Sequence, residues 1–288
     1  MEYLIHLTIL VVIYAMLGIS LNLVVGYTGL VSLAQAAFFG LGAYTTAIFL
    51  TQTGFGFWVS LVLGVGLSFL ISFLIGFVLS KFKEDYYTLG SLGFTVIVFS
   101  IFLNWQSLTR GPLGIPGISR PELLAINFSN NFNFLILASL FLILIYFLSK
   151  FIVNSSFGRV LKAIREDESV LQVFGYQTLY FKLAIFVISA GMAALAGSFF
   201  ASYLKFIDPA SFTFNESVFI LAIIILGGLA NLRGSILGAL FLVLLPEILR
   251  FVGFPIDIAA QMRQVVYGII LILLMLYRPQ GLMGEYTL

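Results

Sequence analysis

Residues Ser155 to Gly175 read SSFGRVLKAIREDESVLQVFG. The stretch carries Arg159, Lys162, Arg165, Glu166, Asp167 and Glu168, with Lys150 just before it, and an apolar run lies on either side. Those runs, 133–153 and 180–203, are each long enough as helices to cross a hydrocarbon core of about 30 Å. A polar helix between two such runs lies in water. The chain therefore reads as a membrane protein with a water-side helix.

The same pattern continues outward from this stretch. Of 288 residues, 61% are hydrophobic and 9% charged, whereas soluble domains carry about 25% charged residues. Apolar runs fall at 4–25, 29–50, 57–80, 87–104, 133–153, 180–203, 216–230, 235–252 and 262–277, which makes about nine spans. The fold class predicted is all-α: a polytopic transmembrane helical bundle, with residues 1–288 as a single domain. Continuous apolar runs, in place of alternating ones, argue against an outer-membrane barrel. The run 29–50 is rich in small and polar residues, and 216–252 reads as two short spans or a pair of broken half-helices. No basic region precedes the first run, which is expected to be a retained span and not a cleaved leader.

Several chemistries are excluded. The chain has no cysteine and one histidine, His6, so neither a thiolate site nor a histidine-based zinc site can form from it. It contains no G-x-x-x-x-G-K-[ST] loop and no series of membrane carboxylates suggesting a proton relay. No cofactor, metal or catalytic residue is expected, and the chain reads as something other than an enzyme. The net charge of +2 says little about partners.

Lys and Arg placement sets orientation. With Lys81 and Lys83 in the cytoplasm, alternation also places Lys150, Arg159, Lys162, Arg165, Lys182, Arg233 and Arg278 there, nine against five outside (Arg110, Arg120, Lys205, Arg250 and Arg263). This predicts an external N-terminus, a cytoplasmic C-terminus and a cytoplasmic charged helix in a multi-pass cell-membrane protein.

Within that helix, Ser155 or Ser156 can cap the first turn and Gly175 suits a left-handed terminus. Val160, Ile164, Leu171 and Phe174 form one apolar stripe. Such a helix can lie on lipid, pack on its own protein, or dock on a partner. Glu166, Asp167 and Glu168 balance the bases, which argues against plain lipid binding. Docking is preferred, because a transporter with no energy source of its own needs one.

Residues 26–46 place Ser32, Gln35, Tyr44, Thr45 and Thr46 among glycines at membrane depth. Groups of this kind are tolerated where they face protein or a water-filled path, so they read either as glue between helices or as pathway lining. Gly228-Leu229-Ala230-Asn231-Leu232-Arg233-Gly234 echoes Gly29-Leu30-Val31-Ser32-Leu33-Ala34-Gln35 with three identities in seven, a hint of the internal repeats common in transporters. The connection 104–132 is broken by Gly111, Pro112, Gly114, Pro116, Gly117 and Pro121, which forbid a long helix. Arg120 and Glu122 within it are candidates for docking a soluble protein.

Taken together, the motifs identify a relative. Gly158-Arg159, Ala163-Ile164-Arg165-Glu166-Asp167-Glu168 and Gly175 resemble the cytoplasmic coupling loop of the branched-chain amino-acid (LIV-type) ABC transporter permeases. Residues 26–44, GYTGLVSLAQAAFFGLGAY, resemble the family's early membrane motif. Trp105, Thr109, Gly111-Pro112 and Gly114-Ile115 resemble its external loop, and the chain looks like the M-type subunit, which carries that tryptophan. Gly227-Gly228, Gly234, Gly238 and Arg278-Pro279-Gln280-Gly281-Leu282 match its C-terminal part. Phe174 and Tyr176 depart from the family pattern, which has smaller or aliphatic residues beside the glycine.

The resemblance implies a bundle of the type II ABC importer kind and a pathway formed with a second permease subunit. It implies two ATP-binding subunits, which would hold all ATP hydrolysis, and an extracytoplasmic substrate-binding protein that delivers substrate. Residues 156–175 would be the coupling helix in the ATPase cleft. Permeases of this architecture also serve urea, short amides and other small polar solutes, and a self-contained secondary transporter stays open as an alternative.

Overall fold

The computed structural model describes residues 2–82, 84–123, 126–128, 130–251, 268–269, 272 and 280–284. Apart from residues 268–269 and 272, the span expected at 262–277 lies outside the described residues, as do Arg278 and Pro279.

In chain order the helices are α1 (Glu2–Thr28), α2 (Gln35–Ile48, continued by a π turn to Thr53), α3 (Phe57–Leu79), α4 (Glu84–Asn104) and the single turn α5 (Gln106–Thr109). They continue as α6 (Asn131–Asn154), α7 (Ser156–Val173), α8 (Thr178–Leu204), α9 (Phe214–Gly227) and α10 (Leu232–Phe251). Helices α1, α3, α4, α6 and α8 are long and apolar enough to cross a membrane. The spans are not equivalent: 89% of the α1 window and 78% of the α8 window are buried within the protein, against 22–33% for α3, α4 and α6. Thus α1 and α8 are the central pair, and the other three turn most of their surface outward.

The interior is seamed with small polar groups. Ser189 donates to the Ser20 carbonyl at 2.6 Å across the α1–α8 contact, and Thr46 donates to Ser198 at 2.7 Å across α2–α8. Backbones approach closely there: a Cβ added to Gly42 would lie 2.0 Å from the Ala194 carbonyl oxygen. With no hydrophobic driving force between helices in lipid, close packing and such bonds supply the cohesion.

The run 29–50 is not one helix. Residues 29–34 form no helix, opening on Gly29 with φ +75°, and α2 begins only at Gln35. Backbone unwound at membrane depth needs partners, and α4 supplies them. Thr88 donates to the Val31 carbonyl (3.0 Å), Ser91 accepts from the Leu33 N–H (2.9 Å), and Thr95 donates to the Leu33 carbonyl (2.7 Å). Residues 216–252 form two helices joined by a second break. Helix α9 has only 14 residues, Gly228 has φ +116° and Ala230 has φ +59°. The two breaks fall on the two halves of the Gly-Leu-x-x-Leu echo.

The glycine- and proline-rich connection carries no long helix. It holds α5, a 3₁₀ turn at Gly111–Leu113, an antiparallel pairing of Ile115–Pro116 with Phe206–Ile207, and a second of Glu122–Leu123 with Ile126–Asn127.

Candidate functional site

Helix α7 starts where Ser155 accepts a hydrogen bond from the Gly158 N–H at 3.4 Å. It stops at Gly175, φ +85°. There the Gly175 N–H bonds the Gln172 carbonyl (3.0 Å) and the Tyr176 N–H bonds the Leu171 carbonyl (3.1 Å). This is the Schellman arrangement, which satisfies the last carbonyls.

Between these ends the helix is not continuous, as five uninterrupted turns would require. Asp167 is extended, with φ −159° and ψ +103°. Its carboxylate accepts from the Ser169 N–H (2.9 Å), the Ser169 hydroxyl (2.6 Å) and the Val170 N–H (3.2 Å). Asp167 is thus the N-cap of a second short helix. These hydrogen bonds hold its carboxyl below the usual aspartate range, the Ser169 side chain contributing most.

The charges on either side of this break bind the protein itself. Arg165 donates through Nη1 to the Gly26 carbonyl and to the Val25 carbonyl (3.4 Å), the last turn of α1. On the other side, Glu168 Oε1 takes the Lys182 ammonium at 2.8 Å and the Thr178 hydroxyl at 2.7 Å, both in the opening turns of α8. Each charge suits its helix end. A cation is stabilised beside the partial negative charge of a C-terminus, and an anion beside the partial positive charge of an N-terminus. The Lys182–Glu168 pair is well covered, the two side chains being 3% and 19% exposed.

The expected apolar stripe divides as well. Ile164, with neighbouring Leu161, is buried on the chain's own core, whereas Phe174 is 75% exposed. Val173 is 87% exposed, and Val170, Tyr176 and Tyr180 are exposed beside it. Among the other residues assigned to coupling, Arg159 and Glu166 are exposed, Ala163 is half-buried and Gly158 is buried. Gly158 sits so close to the preceding helix that a Cβ would meet the Val153 carbonyl oxygen at 2.1 Å. A polar cleft of about 360 Å³ lies between the Thr28–Leu30 turn and residues 164–169.

Ser32, Gln35, Tyr44 and Thr45 are all buried within this chain. Ser32 accepts from the Ala34 N–H at 3.4 Å, Gln35 donates to Ser20, and Thr45 donates to the Leu41 carbonyl at 2.6 Å. Tyr44 stacks on Phe102 with ring centroids 4.3 Å apart, and its hydroxyl has no hydrogen-bond partner among the described residues. Arg120 donates to Asn131 Oδ1 at 2.8 Å and lies 5.6 Å and 5.5 Å from the Phe134 and Tyr203 ring centroids. Glu122 is exposed, and its backbone carbonyl accepts from the Trp58 indole at 3.1 Å. Arg120 and Glu122 share an end of the bundle with His6, whose Nδ1 is 2.7 Å from the Tyr203 hydroxyl.

Sequence reasoning missed three groups. Lys182 and Thr178 hold Glu168; Lys182 entered the sequence reading only as a cytoplasmic charge, and Thr178, just before the run 180–203, was not singled out. Asn22, a lone amide in an apolar helix, was a readable signal: its Nδ2 donates to the Gly228 carbonyl (3.3 Å), the Asn231 carbonyl (3.1 Å) and Ser235 (2.7 Å), and its Oδ1 accepts from the Ala230 N–H (2.9 Å).

Comparison with known proteins adds to this geometry. A family profile described as "Branched-chain amino acid transport system / permease component" matches residues 3–275. The chain is 36% identical to the "High-affinity branched-chain amino acid transport system permease protein LivM" of Salmonella typhimurium, over 94% of this chain and 68% of the relative. It is likewise 36% identical to the Escherichia coli protein of that name, over 95% and 68%. A "Probable branched-chain amino acid transport permease protein LivM" of Methanocaldococcus jannaschii is 28% identical over 78% of this chain and 68% of the relative. No solved structure matches the chain.

Proposed function

Because this chain belongs to the permease family of branched-chain amino acid transport systems, we propose that it moves branched-chain amino acids inward as one of two permease subunits, driven by separate ATP-binding subunits. The chain is a multi-pass membrane permease of an ABC transport system. Its partners on this reading are a second permease, two ATPases and an extracytoplasmic binding protein. Residues 156–175 form the coupling helix within the single permease domain 1–288, with the N-terminus outside and α7 and the C-terminus in the cytoplasm. The excess of Lys and Arg on that side supports the orientation.

One observation carries the docking assignment. The C-terminal end of α7 and the turn after it expose Val170, Val173, Phe174 and Tyr176, with Tyr180 exposed in the first turn of α8. Exposed apolar residues rimmed by polar ones mark an interaction site, and Ser169, Gln172 and Gln177, next to them in sequence, are exposed and polar. Within the proposed contact the aromatic Phe174 is the anchor, as buried aromatic side chains dominate interfaces.

The test is reconstitution of the complex with ATPase and binding-protein partners. ATP-dependent leucine uptake is expected, and a cysteine at Val173 is expected to cross-link to an ATPase subunit during turnover. Leucine uptake by this chain alone under an ion gradient, or a pumping complex with no such cross-link, defeats the assignment.

A further inference from the structure

We infer that Arg165 and the Glu168–Lys182 pair are positioning residues that carry motion from the α7 tip separately to α1 and to α8, with the break at Asp167 as the joint between them. This rests on the docking proposed for α7 and adds how its movement enters the membrane.

Arg165, two positions before Asp167, and Glu168, just after it, attach to different helices. Arg165 holds the first half of α7 to the carbonyls of Val25 and Gly26 at the end of α1. Glu168 holds the second half to Thr178 and Lys182 at the start of α8. Helices α1 and α8 are the two most buried spans, so displacing either end moves the core and not an outer helix. Deeper in the membrane the same two helices are joined by Ser189 to Ser20. They are tied to each other there and, at their α7 ends, tied to α7.

Asp167 interrupts the i to i−4 ladder, so the two halves of α7 are not one rigid rod. Its own carboxylate begins the second half, which keeps that half helical while the joint bends. The cleft beside residues 164–169 leaves room on one side for the bend. Gly29 makes the α1 attachment possible: a Cβ there would lie 3.2 Å from Arg165 Cγ. Charges that are committed to helix ends inside the chain are not available as the main contacts of a partner. That leaves the exposed tip for binding and these three side chains for transmission.

The experiment uses the reconstituted complex and reads two quantities: co-purification of the ATPase subunits and leucine moved per ATP hydrolysed. Arg165→Met and Glu168→Gln are each expected to keep the ATPase subunits bound and to lower leucine moved per ATP about tenfold. Arg165→Lys, which retains a donor, is expected to recover part of the loss. The exchange Glu168→Lys with Lys182→Glu is expected to recover more than either single change, which a general loss of folding would not do. Transport per ATP at the parental level in Arg165→Met and Glu168→Gln overturns the inference. So does loss of the ATPase subunits from those variants, since the side chains would then serve docking. A missing Val173 cross-link in the parental complex defeats the docking assignment instead, so the two failures are distinguishable.

Discussion

The two breaks in the bundle have similar local sequence and different restraints. At Gly29–Ala34 the chain unwinds after α1, and at Gly228–Asn231 it unwinds after α9; each opens on a glycine with positive φ. The second break is held by neutral groups at short range. Asn22 makes four hydrogen bonds to it and to Ser235. The segment 281–284 closes over it, with the Leu282 and Met283 N–H groups on the carbonyls of Leu226 (2.9 Å) and Gly227 (3.0 Å). The first break is held by hydroxyls of α4 and, on its α1 side, by the guanidinium of Arg165 from a helix outside the span region. One turn is held within the core, and the other is connected to α7. Similar sequence at a turn therefore does not imply the same restraints, because the neighbours supply them.

Three changes separate the two breaks, in decreasing size. Asn22→Leu strands the buried Ala230 N–H and the Gly228 carbonyl, and each unsatisfied buried group costs about 1–3 kcal/mol. A loss of about 3 kcal/mol or more is expected from denaturant unfolding in detergent micelles. Gly228→Ala comes next. Its φ of +116° is unsuited to any side chain, and a Cβ would stand 2.2 Å from the Gly284 nitrogen. The expected cost is about 2 kcal/mol, with faster proteolysis of the C-terminal segment. Gly29→Ala is milder, because φ +75° is near the left-handed well and the Arg165 side chain can shift. About 1 kcal/mol is expected, with a larger fall in leucine moved per ATP than Gly228→Ala produces. A Gly29→Ala variant less stable than Gly228→Ala reverses the comparison.

The smallest effect concerns pH. Asp167 has its carboxyl held low by its hydrogen bonds, so its capping contribution is complete above the unfolded value of about 3.9 and disappears as pH falls through the lower folded value. Protection factors for the amides of residues 168–173, with the pH dependence of intrinsic exchange divided out, are expected to fall below about pH 4 relative to neutral pH, and Asp167→Asn is expected to flatten that dependence.

Much of this was legible locally. Ser155 and Gly175 were readable as helix ends because caps depend on a few adjacent residues. The small residues of 26–46 signalled an unusual span for the same reason. The break at Asp167 carried a signal too, an N-cap residue two positions before Ser169, but the surrounding helix pattern outweighed it. The destinations of Arg165 and Glu168 were not legible. Arg165 bonds residues 139 and 140 positions away, and nothing near position 165 specifies which helix end will lie beside it. Ile164 was misread for the same reason. A stripe drawn on an uninterrupted helix cannot show that the axis turns between Ile164 and Leu171, sending one end inward and the other into water.

Val173 and Phe174 carry a final implication for the cell that makes this chain. If α7 docks as proposed, a copy inserted ahead of its partners leaves these two exposed apolar side chains uncovered, the kind of feature that chaperones and proteases recognise. The lifetime of the orphan subunit would then follow the supply of its partners, and unbalanced expression would be corrected by degradation.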